Sequence, residues 1–149
     1  MVVANEEVAL RNMLIAVFKR KGGIGKNTKS ADEDFPFLGK TVELSRLLET
    51  GELPVIFILH EGHAETVITT RRIIWLAASA GKAVKFNQIS NISASQLGGK
   101  MLSKETGLRL HLIDGSDVVL DVEAGRPLSG VWNVLLNRAR VNWRKARSH

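Results

Sequence analysis

Apolar residues recur every three or four positions near both ends of the chain, and in alternating or continuous runs through its middle. The first helical pattern covers residues 6–20, where Leu10, Leu14, Val17 and Phe18 share one face. Asn5 is a capping residue type, and Glu6 and Glu7 suit the positive end of the helix dipole. Lys19, Arg20 and Lys21 suit the negative end, and Gly22 can adopt the left-handed conformation that stops a helix. Residues 22–40 read as a loop, polar through 27–34. A second short helix is predicted over 42–49, with Leu44, Leu47 and Leu48 inward and Gly51 just past its end.

From residue 53 the period changes to that of strands. Pro54 fits a strand start, and 55–59 is a continuous apolar run. Residues 66–77 form a hairpin, two β-branched runs around Thr69-Thr70-Arg71-Arg72. Extended segments follow at 83–86 and 89–95. Asp114-Gly115 between alternating runs marks a second hairpin, 108–113 with 118–122. The last element is a helix over 127–145, with Trp132, Leu135, Leu136, Ala139 and Trp143 as its apolar stripe. The pattern predicts a mostly β fold with helices: curved antiparallel sheets or a barrel closed by a C-terminal amphipathic helix, plus an N-terminal helical segment. Residues 1–40 are the N-terminal helix and polar loop, and 41–149 the β domain.

Composition adds little to this until charge is mapped. Cysteine is absent, which excludes disulfides and thiolate metal sites. The longest apolar run is about seven residues against the roughly 20 of a membrane helix. The first residues lack a basic, then apolar, leader pattern, so a cytoplasmic protein is expected. The net charge is +6, and residues 126–149 contain six basic residues and no acid. Arg138, Arg140, Arg144, Lys145 and Arg147, with Trp143 among them, are candidates for meeting an anionic partner, nucleic acid or an acidic membrane surface. The alternative is a solvated helix face.

Several motifs in order resemble the bacterial pleckstrin-homology-like (PH-like) domains across residues 44–143. Leu47-Leu48 followed by Gly51-Glu52 resembles the lead into that family's first strand. Thr69 to Ile74 resembles its Thr-Asp-Arg-Arg-apolar turn, with Thr70 where the family usually has Asp or Asn. Ile89 resembles a core isoleucine that begins a later strand. The Asp114-Gly115 hairpin and the terminal helix follow in the expected order, and Trp132 or Trp143 can serve as the helix tryptophan that packs into the barrel. The resemblance implies a non-enzymatic interaction or self-assembly module. Its partner would be protein, foremost a second copy of the chain, with no cofactor and no catalytic residue. Phosphoinositide binding at the family's usual loop is disfavoured, because His60-Glu61-Gly62-His63-Ala64-Glu65 has no Lys or Arg and two glutamates that repel phosphate.

Two local features compete with that reading. Lys21-Gly22-Gly23-Ile24-Gly25-Lys26-Asn27-Thr28 resembles a deviant Walker A loop. In that reading Gly22, Gly23 and Gly25 let backbone N–H groups cradle phosphates, Lys26 reaches the β/γ-phosphates, Lys21 is the signature lysine and Thr28 supplies a hydroxyl. Asn27 stands where the magnesium-ligating hydroxyl belongs, and residues 29–36 lack the apolar stripe of a following helix. His60, Glu61, His63 and Glu65 are metal-ligand types at a spacing that matches no helical zinc motif, so no metal is expected. Arg71 and Arg72 can bind an anion, pair with a carboxylate such as Glu65, or cap the rim of the sheet. Asp114, Asp117, Asp121 and Glu123 read as solvated charge.

Overall fold

The structure, a computed structural model, describes residues 5–32, 44, 46–60, 63–77, 80–94, 107–123 and 125–147. Helix α1 (Asn5–Lys21) leads through a glycine-rich turn into strand β1 (Thr28–Ser30). Strands β2 (Pro54–His60), β3 (His63–Thr69), β4 (Arg72–Ala77) and β5 (Ala80–Lys85) follow in an antiparallel sheet of order β1-β2-β3-β4-β5. A 3-10 turn at Phe86–Gln88 passes to a three-stranded antiparallel sheet of β6 (Ile89–Ala94), β7 (Gly107–Leu112) and β8 (Asp117–Asp121). Helix α2 (Arg126–Arg147) ends the fold. Antiparallel sheets with a helix before and an amphipathic helix after them are what the hydrophobic pattern predicts.

The continuous apolar runs of β2 and β4 have a packing cause. Ile56, Ile58, Ile68 and Ile73 face the main core, which they share with both helices and the second sheet. Phe57, Val67 and Ile74 point the other way, into a smaller cluster with Leu44. Both faces of these strands are covered, so no polar alternate is needed. The short helix expected at 42–49 falls partly outside the described residues. Within them, Leu44 is buried and Leu48 packs on the smaller cluster, whereas Leu47 is 39% exposed, not inward.

Helices α1 and α2 pack antiparallel. Phe18 of α1 meets Gly130 of α2, and Ser129 Oγ donates to Lys21 O at 2.7 Å. A β-carbon on Gly130 would lie 2.7 Å from Phe18 Cδ1, and one on Gly22 only 1.8 Å from Arg126 O. The glycines therefore set how closely the helices approach. Leu14, Ile15 and Phe18 enter the same core as the sheets and α2. Trp143 packs against this core and its indole Nε1 donates to Ile89 O at 2.8 Å.

The polar loop expected over 22–40 contains a strand. β1 pairs with β2 in the register Thr28↔Ile58, Lys29↔Phe57 and Ser30↔Ile56. Its polar inward side chains are satisfied rather than apolar. Thr28 Oγ1 donates to Glu123 Oε1 at 2.8 Å, and Ser30 Oγ donates to Asp32, which also holds Lys19 at 2.7 Å.

Candidate functional site

The Thr69-Thr70-Arg71-Arg72 turn is the most densely bonded place in the described chain. The Thr69 hydroxyl accepts from the N–H groups of Arg71 and Arg72, both at 3.0 Å, and donates to Glu52 Oε2 at 2.6 Å. Arg72 binds the same carboxylate through Nε (3.0 Å) and Nη2 (3.0 Å), and Nη2 also reaches Leu47 O at 2.8 Å. The N–H of Glu49 adds a bond to Glu52 Oε1 at 2.9 Å. The Glu52 side chain is 0% exposed. Burial pushes its pKa up, but the bonds from Arg72, Thr69 and the Glu49 N–H prevail and hold it below the usual value. Arg72 is a structural clamp, and the carboxylates it meets are Glu52 and, at 3.5 Å, Glu49.

Thr70 and Arg71 join the turn to α1. Thr70 Oγ1 donates to Glu7 Oε1 at 2.7 Å, and Arg71 Nε reaches the same oxygen at 3.0 Å. Thr70 N–H donates to Leu53 O at 2.9 Å, so this β-branched turn residue is buried and bonded on two sides. Gly51, at φ +83°, lies against the Arg71 guanidinium. The Leu-Leu-x-x-Gly-Glu and Thr-x-Arg-Arg motifs, read separately along the chain, are thus two sides of one contact.

Residues 21–28 do not form a phosphate cradle. A P-loop runs from a strand into a helix N-terminus, where N–H groups and the positive dipole end meet the anion. Here the segment runs the opposite way, from the carbonyl end of α1 into β1, with Gly23 at φ +100°. The Asn27 N–H and the Thr28 hydroxyl are both held by Glu123 Oε1 at 2.8 Å. A β-carbon on Gly25 would lie 2.2 Å from that oxygen. These glycines make room for the Glu123 carboxylate and for α2.

Three of the basic residues of α2 line two clefts. Arg140 and Arg144 line one of about 280 Å³ between the helices, together with Arg20, Lys21, Asn133, Asn137, Val17, Leu136 and Val141. Asn137 Oδ1 is buried there without a hydrogen-bond partner among the described residues. Arg138 lines another, of about 240 Å³, with Arg71, Lys85, Asn87, Asn142, Thr70 and Phe86. Arg138 Nε is buried without a hydrogen-bond partner among the described residues, and burial lowers the guanidinium pKa against the opposing pull of Glu7. The side chains of Lys145 and Arg147 lie outside the described residues. Sequence reading did not single out Lys85 or connect Arg71 with Arg138, because nothing local joins residues on three separate elements.

The second sheet carries a hydrogen-bond chain on its partly exposed side. Ser93 Oγ lies 2.9 Å from His111 Nε2, and His111 Nδ1 lies 2.9 Å from Asp117 Oδ1. Arg109 Nη1 also reaches Asp117, at 3.2 Å. The carboxylate pKa is lowered: desolvation, which raises it, is outweighed by these partners. The order of groups is that of a Ser–His–Asp relay. Its setting differs, since Ser93 lies within β6 and is paired with Arg109 across the ladder, not at a strand-to-helix turn that aims N–H groups at an oxyanion. The Asp-Gly hairpin contained the signal for it, since its register sets Asp117 opposite His111. Of the other acids, Asp114 takes the Ser116 N–H at 2.8 Å. Glu61 lies outside the described residues, and among those described no three His, Asp or Glu converge as a metal site. No described helix is long and apolar enough to cross a membrane. No family model, curated protein or solved structure matches the chain.

Proposed function

We propose that the chain is a non-enzymatic interaction module of PH-like type that docks an acidic, partly apolar peptide segment of a partner protein between α1 and α2. The observation that carries this is the lining of the groove there. Arg20, Lys21, Arg140 and Arg144 bring four positive charges, and among the described residues no carboxylate lines it. Val17, Leu136 and Val141 add apolar surface, which an isolated phosphate or a nucleic-acid backbone would not use. The buried Asn137 Oδ1 is an acceptor that a peptide N–H can satisfy. Base stacking has less support. Trp143 is turned to the core and bonded to Ile89 O, and Trp132 packs against the same core.

Fluorescence anisotropy of a labelled Glu/Leu-rich peptide tests the reading. Binding should weaken with salt and fall at least about tenfold in the Arg20→Gln/Arg140→Gln double variant. Equal affinity in that variant, or tighter binding of a single-stranded oligonucleotide than of the peptide, would overturn it. A second reading, self-association, is favoured by the β7–β8 hairpin. There β8 ends its sheet among the described residues, and Ile113 (70% exposed) and Val119 (51%) face solvent. Light scattering should then report a mass above the 16.4 kDa monomer, lost in Val119→Lys.

A further inference from the structure

Arg71 from the β3–β4 turn, Lys85 from the end of β5 and Arg138 from α2 converge on one cleft of about 240 Å³, with the amides of Asn87 and Asn142 and the Thr70 side chain beside them. None of these residues is acidic. Among the described residues one carboxylate meets the group: Glu7, bonded to Thr70 and Arg71. Three positive charges against one negative charge leave two uncompensated. Arg138 makes no ion pair within the described residues, and its Nε is buried without an acceptor there, a desolvation cost that the nearby Glu7 charge offsets only in part. Lys85 is exposed and likewise forms no ion pair among them.

We infer that the cleft bounded by Arg71, Lys85 and Arg138 binds a phosphate monoester dianion. A monoester carries about −1.5 to −2 charge at pH 7 and three acceptor oxygens, which match the excess charge and the donors of two guanidiniums, an ammonium and two amides. A carboxylate or a phosphodiester, each with a single charge, compensates only half of the excess. The cleft and the α1–α2 groove use different α2 residues, so this site stands or falls apart from the peptide groove.

The test is an NMR titration of the full chain with inorganic phosphate and phenyl phosphate, against dimethyl phosphate at matched ionic strength. The two dianions should shift amides of residues 70–71 and 85–87 saturably, and dimethyl phosphate should bind at least about tenfold more weakly. Lys85→Gln and Arg138→Gln should each cost about tenfold or more, while Arg140→Gln, in the other groove, should leave the affinity unchanged. Lys85 is a surface residue, so its variant reads the site even if Arg138→Gln fails to fold. Vesicles of phosphatidic acid in phosphatidylcholine present the same monoester on a lipid. Retention by vesicles without saturation by free phosphate would assign a headgroup, and saturation by free phosphate a soluble ligand. Equal affinity for dianions and monoanion, or Lys85→Gln binding like wild type, would overturn the assignment.

Discussion

The carboxylate of Glu52, sealed from solvent, is held by the guanidinium of Arg72 at 3.0 Å through both Nε and Nη2. This pair joins the segment before β2 to the turn between β3 and β4. Removing one partner strands a buried charge, which costs about 3–5 kcal/mol. Arg72→Ala and Glu52→Ala should each lower the unfolding free energy measured in urea by that amount. Loss of less than about 1 kcal/mol in both would show that the pair contributes little.

Acid should weaken the same contact. The folded pKa of Glu52 lies below its ordinary value of 4.5, so its contribution is complete above pH 4.5. It is lost as the pH falls from there through the lower folded value, because the unfolded chain then binds the proton first. Urea midpoints measured from pH 7 to 3 should fall more steeply for wild type than for Glu52→Gln, since the variant has no proton to bind.

Thr70→Asp introduces the residue type usual in the turn of the family that this sequence resembles, yet it should destabilise this chain. The new carboxylate would face Glu7 Oε1, now 2.7 Å from the Thr70 hydroxyl. A loss of about 1–3 kcal/mol is expected, relieved by Glu7→Gln in a double-mutant cycle. Additive losses would remove the proposed repulsion.

Gly130→Ala places a methyl group 2.7 Å from the Phe18 ring and 2.9 Å from its carbonyl oxygen. Overpacking of this kind costs about 1–3 kcal/mol. Gly115→Ala, with nothing within 4 Å but φ at +91°, measures backbone strain alone and is the control for crowding. Thermal melts of the two variants separate the effects.

The Ser93–His111–Asp117 chain should act as a cross-strand tie and not as a nucleophilic centre. Hydrolysis of p-nitrophenyl acetate by the protein should be unchanged in Ser93→Ala, and a fluorophosphonate should leave Ser93 unlabelled. Labelling at Ser93 would establish the relay as reactive.

What could be read from the sequence was local. Leu10, Leu14 and Phe18 recur at helical spacing, and Asp114-Gly115 fixes its own turn, so these elements are visible without tertiary knowledge. Strand β1 was not, because Thr28 and Ser30 enter the interior as bonded polar groups, their partners lying in distant or irregular backbone. Glu52 belongs to a sequence motif, but a glutamate alone gives no sign that it is buried; Arg72, Thr69 and the Glu49 N–H make that tolerable. The cleft of Arg71, Lys85 and Arg138 needed three elements to be placed in space before its charges could be added.

The bonds that hold the glycine-rich turn have a consequence for synthesis on the ribosome. Asn27 and Thr28 wait for Glu123, and the carbonyls of Lys21 and Gly22 wait for Ser129 and Arg126, across sequence separations of 95 to 108 residues. Residues 21–28 therefore cannot finish their hydrogen bonding during synthesis until residues 123–129 have been made. At about 5–20 residues per second, that leaves several seconds in which the turn between α1 and β1 lacks the partners that Glu123 and the first turn of α2 supply.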